Sequence, residues 1–192
     1  MAKDYKDNET EENPFSMSVG DLMSGLLFIF ILLLSYTMLR VQEKSESEAK
    51  VTQEYNQVKT QLYIDLQKEF KDSLKVWEAE IDSIHLSVRF QEPKTLFDVN
   101  EAKLKPKFKH ILDDFFPRYV KVLSKDQYRD NIEEIRIEGH TDSSGEYFHN
   151  MELSQDRTRA VLEYCYGLLD KSKQDWVQSK ATANGLSYSH TI

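Results

Sequence analysis

Cysteine is almost absent, with Cys165 the single one in 192 residues. No intrachain disulfide can form. With no second Cys and no motif around it, the thiol in RAVLEYCYGLL reads as a small buried hydrophobe on a helix. Excess positive charge is missing too: Asp and Glu outnumber Lys and Arg 33 to 25, and a formal charge of -8 repels phosphate backbones, which argues against a nucleic-acid partner. No Pro-, Gly- or Ser-rich linker separates one region from the next. No Gly loop fit to cradle a phosphate, no Ser-His-Asp pattern and no paired carboxylates support a catalytic site. The chain therefore reads as a non-enzyme with no bound cofactor. A metal centre is not expected either, because His140 and His149 have no Cys or third His at ligand spacing.

Charge is also missing from residues 22–39, where Leu, Ile, Phe and Met dominate. About 18 such residues at 1.5 Å rise cross most of a ~30 Å hydrocarbon core, so a transmembrane helix is predicted over 15–40, after a polar, disordered tail at 1–14. A signal peptide would need a basic start and a small-residue cleavage site, whereas the tail is acidic and the run ends in SYTMLR. Lys3 and Lys6 before the span are outnumbered by Arg40, Lys44 and Lys50 after it, so charge counting gives no support for a cytoplasmic N-terminus.

One carboxylate, Asp21, sits at the lip of this run. It has two readings. An acid at a helix start caps it or complements its dipole. Alternatively the span begins earlier, since Phe15, Met17 and Val19 are apolar, and an ionisable group inside a bilayer is functional by default.

From Val51 to Ile84 apolar residues recur every three or four positions, through Tyr55, Val58, Leu62, Leu66, Phe70, Leu74, Trp77 and Ile81. That spacing predicts a helical stalk over 41–83, roughly 60 Å long at 1.5 Å per residue. Its apolar face needs a cover, either a second copy, another subunit or the next domain, and self-association is the expected one. Beyond it the period changes. IHLSVRF (84–90) alternates like a strand, 104–123 has helical spacing, 132–139 alternates, a helix runs from about 151 to 169, and KATANG (180–185) reads as a last strand. The fold class expected for 84–192 is an α+β sandwich of order β-α-β-α-β.

The cluster IEGHTDSSGEYFHNMELSQDRTRAV (137–161) follows a strand, turns through Gly139 and Gly145 and opens a helix. Asp142 and Arg157 can converge there, and a carboxylate beside a guanidinium can grip both ends of a zwitterion. The bland reading makes Asp142 a turn former, Asn150 a helix cap and Arg157 a solvated charge.

GHTDSSGEYFHNMELSQDR resembles the peptidoglycan-binding motif of OmpA-like domains, and TLFDVNEAKLKP (95–106) is similar to the segment before that family's first helix. The resemblance implies that Asp142 and Arg157 hold the amino-acid end of diaminopimelate in a cell-wall stem peptide, with Asn150 and Leu153 lining the groove. The chain reads RTRA where the family usually has RA, so Arg159 stands as a rival to Arg157. It is also expected to stop short of the domain's usual end.

A wall-binding domain behind a membrane helix resembles the B subunits of ion-driven stators, such as MotB of the flagellar motor, in which one transmembrane aspartate carries the ion. Asp21 is the matching position. The acidic tail and SVGDLMSGLLFIFI make the chain more similar to the B subunits of Zorya antiviral defence systems. The resemblance implies an inner-membrane protein with a cytoplasmic N-terminus and a periplasmic domain, a homodimer of this chain, and a MotA-like membrane subunit (ZorA) forming a ring around the membrane helices. The translocated ion is expected to be a proton, with sodium left open. A flagellar-type stator and a passive membrane-to-wall tether are the alternatives.

Overall fold

The computed structural model describes residues 14–91 and 96–189. The polar tail up to residue 13, Thr95 of the TLFDVN segment, the last three residues and the side chains of Phe15 and Met17 lie outside the described residues. The chain divides into two compact units, Met1–Glu54 and Tyr55–Ile192.

Helix α1 runs from Pro14 to Trp77. In the first unit every described side chain is exposed, and this is the one helix among the described residues long and apolar enough to cross a membrane. Two of its hydroxyls are satisfied within the helix, which keeps them tolerable in lipid: Ser24 Oγ donates to Gly20 O at 2.8 Å and Thr37 Oγ1 to Leu34 O at 2.9 Å. Where the uncharged run ends, Arg40 Nε donates to the Tyr36 hydroxyl at 2.9 Å, an aromatic-cation pair of the kind that sits at a membrane interface.

The second unit begins at Tyr55, within the stretch expected as a stalk, and the end of that helix packs into the domain: Leu62, Leu66, Phe70 and Trp77 of α1 are buried in its core. Burying each contributes on the order of 2 kcal/mol. Their partner is α2 (Pro106–Leu123), whose Phe108, Ile111, Leu112, Phe115, Phe116 and Val120 share that core. The Phe70 ring lies 5.3 Å from Phe115, and Trp77 meets Phe115 edge-on at 5.9 Å. From Leu62 onward the apolar face is therefore covered by the chain's own domain rather than by a second copy.

Two polar clasps flank the rings. Arg118 Nε donates to Glu69 Oε1 at 2.8 Å, its other nitrogens reach Asp114, Ser73 and the Glu69 carbonyl, and its plane lies over Phe70. Burial alone would lower the Arg118 pKa, but the Glu69 and Asp114 carboxylates more than offset that and raise it. In the second clasp Lys125 Nζ and the Tyr128 hydroxyl both donate to Asp65 Oδ2, at 2.7 and 3.1 Å. The Lys125 hydrogen bond holds the Asp65 pKa below its usual 3.8, and the same bond raises Lys125 above 10.5.

The sign of the pH effect follows. The depressed acid stabilises the fold above pH 3.8 and stops doing so as pH falls through its folded value; the raised amine does so below pH 10.5 and fails as pH rises past its own. Asp65→Asn is thus expected to lower stability by about 1 kcal/mol at pH 7. In urea unfolding of the solubilised chain the gap between parent and variant should shrink at pH 3, and an unchanged gap would count against the clasp.

Helix α1 stops at Trp77 because Glu78 turns into the left-handed region, with φ of 53°. Strand β1 (Ala79–Ile81) then pairs antiparallel with β2 (Val88–Phe90). Ile81 and Ile84 had been assigned to the helix by spacing, yet Ile81 lies in β1 and Ile84 is exposed in the hairpin loop. After α2 and the single turn α3 (Asp126–Arg129), β3 (Ile135–Gly139) leads into α4 (Tyr147–Gly167). A further helix, α5 (Lys171–Lys180), is capped by Asp170, whose Oδ1 accepts from Lys173 N at 3.0 Å. It returns the chain to β4 (Ala181–Gly185), parallel to β3 in a register that sets Gly139 opposite Gly185.

The expected alternation of strands and helices is present, but the described strands form two two-stranded sheets. The β3–β4 pair lies tight against α4. A Cβ on Gly185 would stand 2.3 Å from Gln155 N, and one on Gly139 would stand 2.6 Å from the Thr158 methyl. Both glycines let the sheet approach the helix that carries the site.

Candidate peptidoglycan-binding site

The loop between β3 and α4 is built on local hydrogen bonds. Asp142 Oδ1 accepts from Ser144 N at 3.0 Å, the turn expected of an Asp, and Gly145 supplies the left-handed φ of 92° that lets the chain enter α4. Asn150 does not cap the helix, which begins at Tyr147 with Glu146 before it. It lies one turn inside, 3% exposed, and its Nδ2 reaches back to Ser144 O at 2.8 Å and Asp142 O at 3.4 Å. Its amide thereby fixes the loop that presents the Asp142 carboxylate, which stays exposed.

The loop is tied to the turn that follows β4 as well. Thr141 N donates to Ser187 O at 3.0 Å, and Ser187 N donates to the buried Ser154 Oγ at 3.1 Å. Two polar atoms beside Asp142, His140 Nδ1 and Thr141 Oγ1, are buried without a hydrogen-bond partner among the described residues. Such atoms are costly unless a ligand or water reaches them.

Arg157 is one of two nearby arginines with different surroundings. Its Nε donates to Glu101 O at 2.9 Å and one Nη to Asp98 O at 3.1 Å, while the guanidinium lies over the Phe97 ring at 4.9 Å. Burial pulls its pKa below the ordinary guanidinium value, and the Asp142 charge opposes that shift. The two charges feel each other without an ion pair between them. Arg159 instead points to solvent and binds Asp156 and Glu163 on its own helix, at 3.3 and 3.9 Å. Half-buried Leu153 lies on the same helix, one turn before Arg157.

That the carbonyls of Asp98 and Glu101 orient Arg157 has no signature among the residue types, since any residue supplies a carbonyl. Phe97 was visible as part of TLFDVN, but its ring contact was not. Among the described residues no three His, Cys, Asp or Glu side chains gather as a metal site.

Asp21 lies two turns inside α1, and no acid occupies that helix's first turn. Capping and the helix dipole act at the terminus, so neither accounts for it.

Residues 96–189 match the OmpA family. Along 191 residues the chain is 45% identical to the Zorya protein ZorB of Escherichia coli (strain Crooks), covering 95% of this chain and 80% of that protein. The chain belongs to the ZorB family. A second ZorB, from Escherichia coli O139:H28, is 24% identical over 81% of this chain and 62% of its own length. Among solved structures, a MotB-like protein from Desulfovibrio vulgaris is 21% identical, with 71% of this chain and 80% of that one covered at a TM-score of 0.48. The OmpA-like domain of FopA1 from Francisella tularensis is 24% identical, covering 51% and 57% at a TM-score of 0.36. This ZorB-family chain thus joins one long apolar N-terminal helix to a helical stalk and an α/β domain of the OmpA family.

Proposed function

We propose that this chain is the wall-anchored B subunit of an inner-membrane rotary motor, working in a Zorya-type antiviral defence system. One observation carries the reading: a single chain combines an OmpA-family domain with an unburied apolar helix that holds a carboxylate well inside its ends. Asp142 takes the ammonium of a diaminopimelate stem peptide and Arg157 its carboxylate, with Leu153 against the aliphatic stem and Asn150 holding the loop. The N-terminus is cytoplasmic and the domain periplasmic. Two copies pair, and their Asp21 side chains stand inside a ring of MotA-like subunits. Protons pass by way of Asp21, and the ring turns against the anchored stalk when phage invasion is sensed.

Purification in mild detergent tests the assembly. A multi-helix membrane partner is expected at fixed stoichiometry. A chain that binds sacculi but brings no such partner would be a passive tether, and the motor reading would fall.

A further inference from the structure

Three aromatic rings lie beside the site, outside the set of residues proposed to grip a stem peptide. Tyr147 meets Phe148 edge-on at 5.3 Å and Tyr188 at 5.7 Å. Phe148 is 81% exposed and Tyr147 40%. Phenylalanine is usually buried, and a ring left in water beside two others marks a binding surface rather than a core contact.

The cluster is continuous with the Asp142 loop. Ser187 Oγ donates to Tyr147 O at 3.4 Å, and Ser187 O accepts from Thr141 N at 3.0 Å. Asp142 and Tyr188 each follow one residue after that bonded pair, so their Cα atoms are at most about 13 Å apart.

We propose that Tyr147, Phe148 and Tyr188 form a sugar-stacking subsite for a pyranose ring of the glycan strand, next to the stem peptide at Asp142 and Arg157. The inference rests on the stem-peptide reading. A pyranose has an apolar C–H face and a polar rim; the bare ring of Phe148 suits the first, and the tyrosine hydroxyls suit the second. Diaminopimelate is the third residue of a peptide attached to the sugar's lactyl group, and three extended residues span roughly 10 Å. A ligand gripped at Asp142 therefore carries a sugar within reach of the rings. An anionic membrane surface is a poor occupant for a chain of net charge -8.

Titration calorimetry of the solubilised full chain, with two soluble probes, tests this. One probe is the disaccharide tripeptide of the wall, the other the same diaminopimelate tripeptide without sugars. The parent is expected to bind the sugar-bearing probe roughly tenfold tighter. Phe148→Ala with Tyr188→Ala should erase that advantage and leave tripeptide affinity and the unfolding midpoint unchanged, and Phe148→Trp should keep it. Equal binding of both probes by the parent overturns the subsite and leaves the stem-peptide site standing. Equal loss of both probes in the double variant also overturns it, since the rings would then serve the peptide. If the parent binds neither probe while Arg157→Ala changes nothing, the stem-peptide reading itself fails and the subsite falls with it.

Discussion

Replacing Asp21 by Asn is expected to reduce antiviral protection to that of cells lacking the system, while partner association and wall binding persist. The change keeps volume and hydrogen-bonding capacity and removes only the ability to gain and lose a proton. Each proton crossing 100 mV releases about 2.3 kcal/mol, and a carrier that cannot be protonated reversibly couples none of it. Because Asp21 lies two turns inside α1, the substitution breaks no cap, so loss of function would not reflect a frayed helix end. Plaquing efficiency gives the biological readout and proton uptake by proteoliposomes holding chain and partner gives the chemical one. Full protection with Asn at position 21 would end the ion-carrier role.

The second large effect is expected at Arg157. Arg157→Ala should weaken cosedimentation with sacculi by roughly 100-fold, the factor that loss of a charge-assisted, two-pronged contact produces. Arg157→Lys should recover little, since an ammonium cannot bond the carbonyls of Asp98 and Glu101 in a fork and still face a ligand. Arg159→Ala should bind within twofold of the parent, because its partners are the exposed Asp156 and Glu163 side chains of α4. Asp142→Asn separates the two roles of that residue. An amide oxygen still accepts from Ser144 N and keeps the turn, so lost wall binding there would report the charge alone.

These outcomes turn on features that the sequence exposed unevenly. The apolar helix was legible because lipid demands a composition that few soluble segments share. A strand-end loop at Asp142 and a following helix carrying Arg157 were legible from the turn signals at Gly139 and Gly145, whereas the pairing of the two side chains came only from the resemblance to OmpA-like domains. The end of α1 was not: Ile81 and Ile84 satisfy a helical period as well as a strand's alternation, and only the left-handed turn at Glu78 decides between them. Helix α5 was missed although Asp170 announces it, because KSKQDWVQSK carries few apolar residues to set a period. Asn150 looked like a cap from its place beside a helical run; its burial and its reach back to Ser144 depend on where the helix begins. Arginine 157 owes its setting to main-chain carbonyls more than fifty residues earlier, which no side-chain pattern encodes.

The clasps on α1 bear on how the domain carries a load. The helix from Tyr55 to Trp77 is not hung from a single point. Asp65 grips Lys125 and Tyr128, Glu69 and Ser73 grip Arg118, and Phe70 and Trp77 interlock with Phe115 along the same stretch. A tug along the helix axis strains all of these bonds in shear at once, whereas a sideways tug would peel them apart in turn. Strength in shear exceeds strength in peeling, as it does for a glued lap joint, so the domain resists a pull along α1 better than one across it, as the wall anchor proposed above requires.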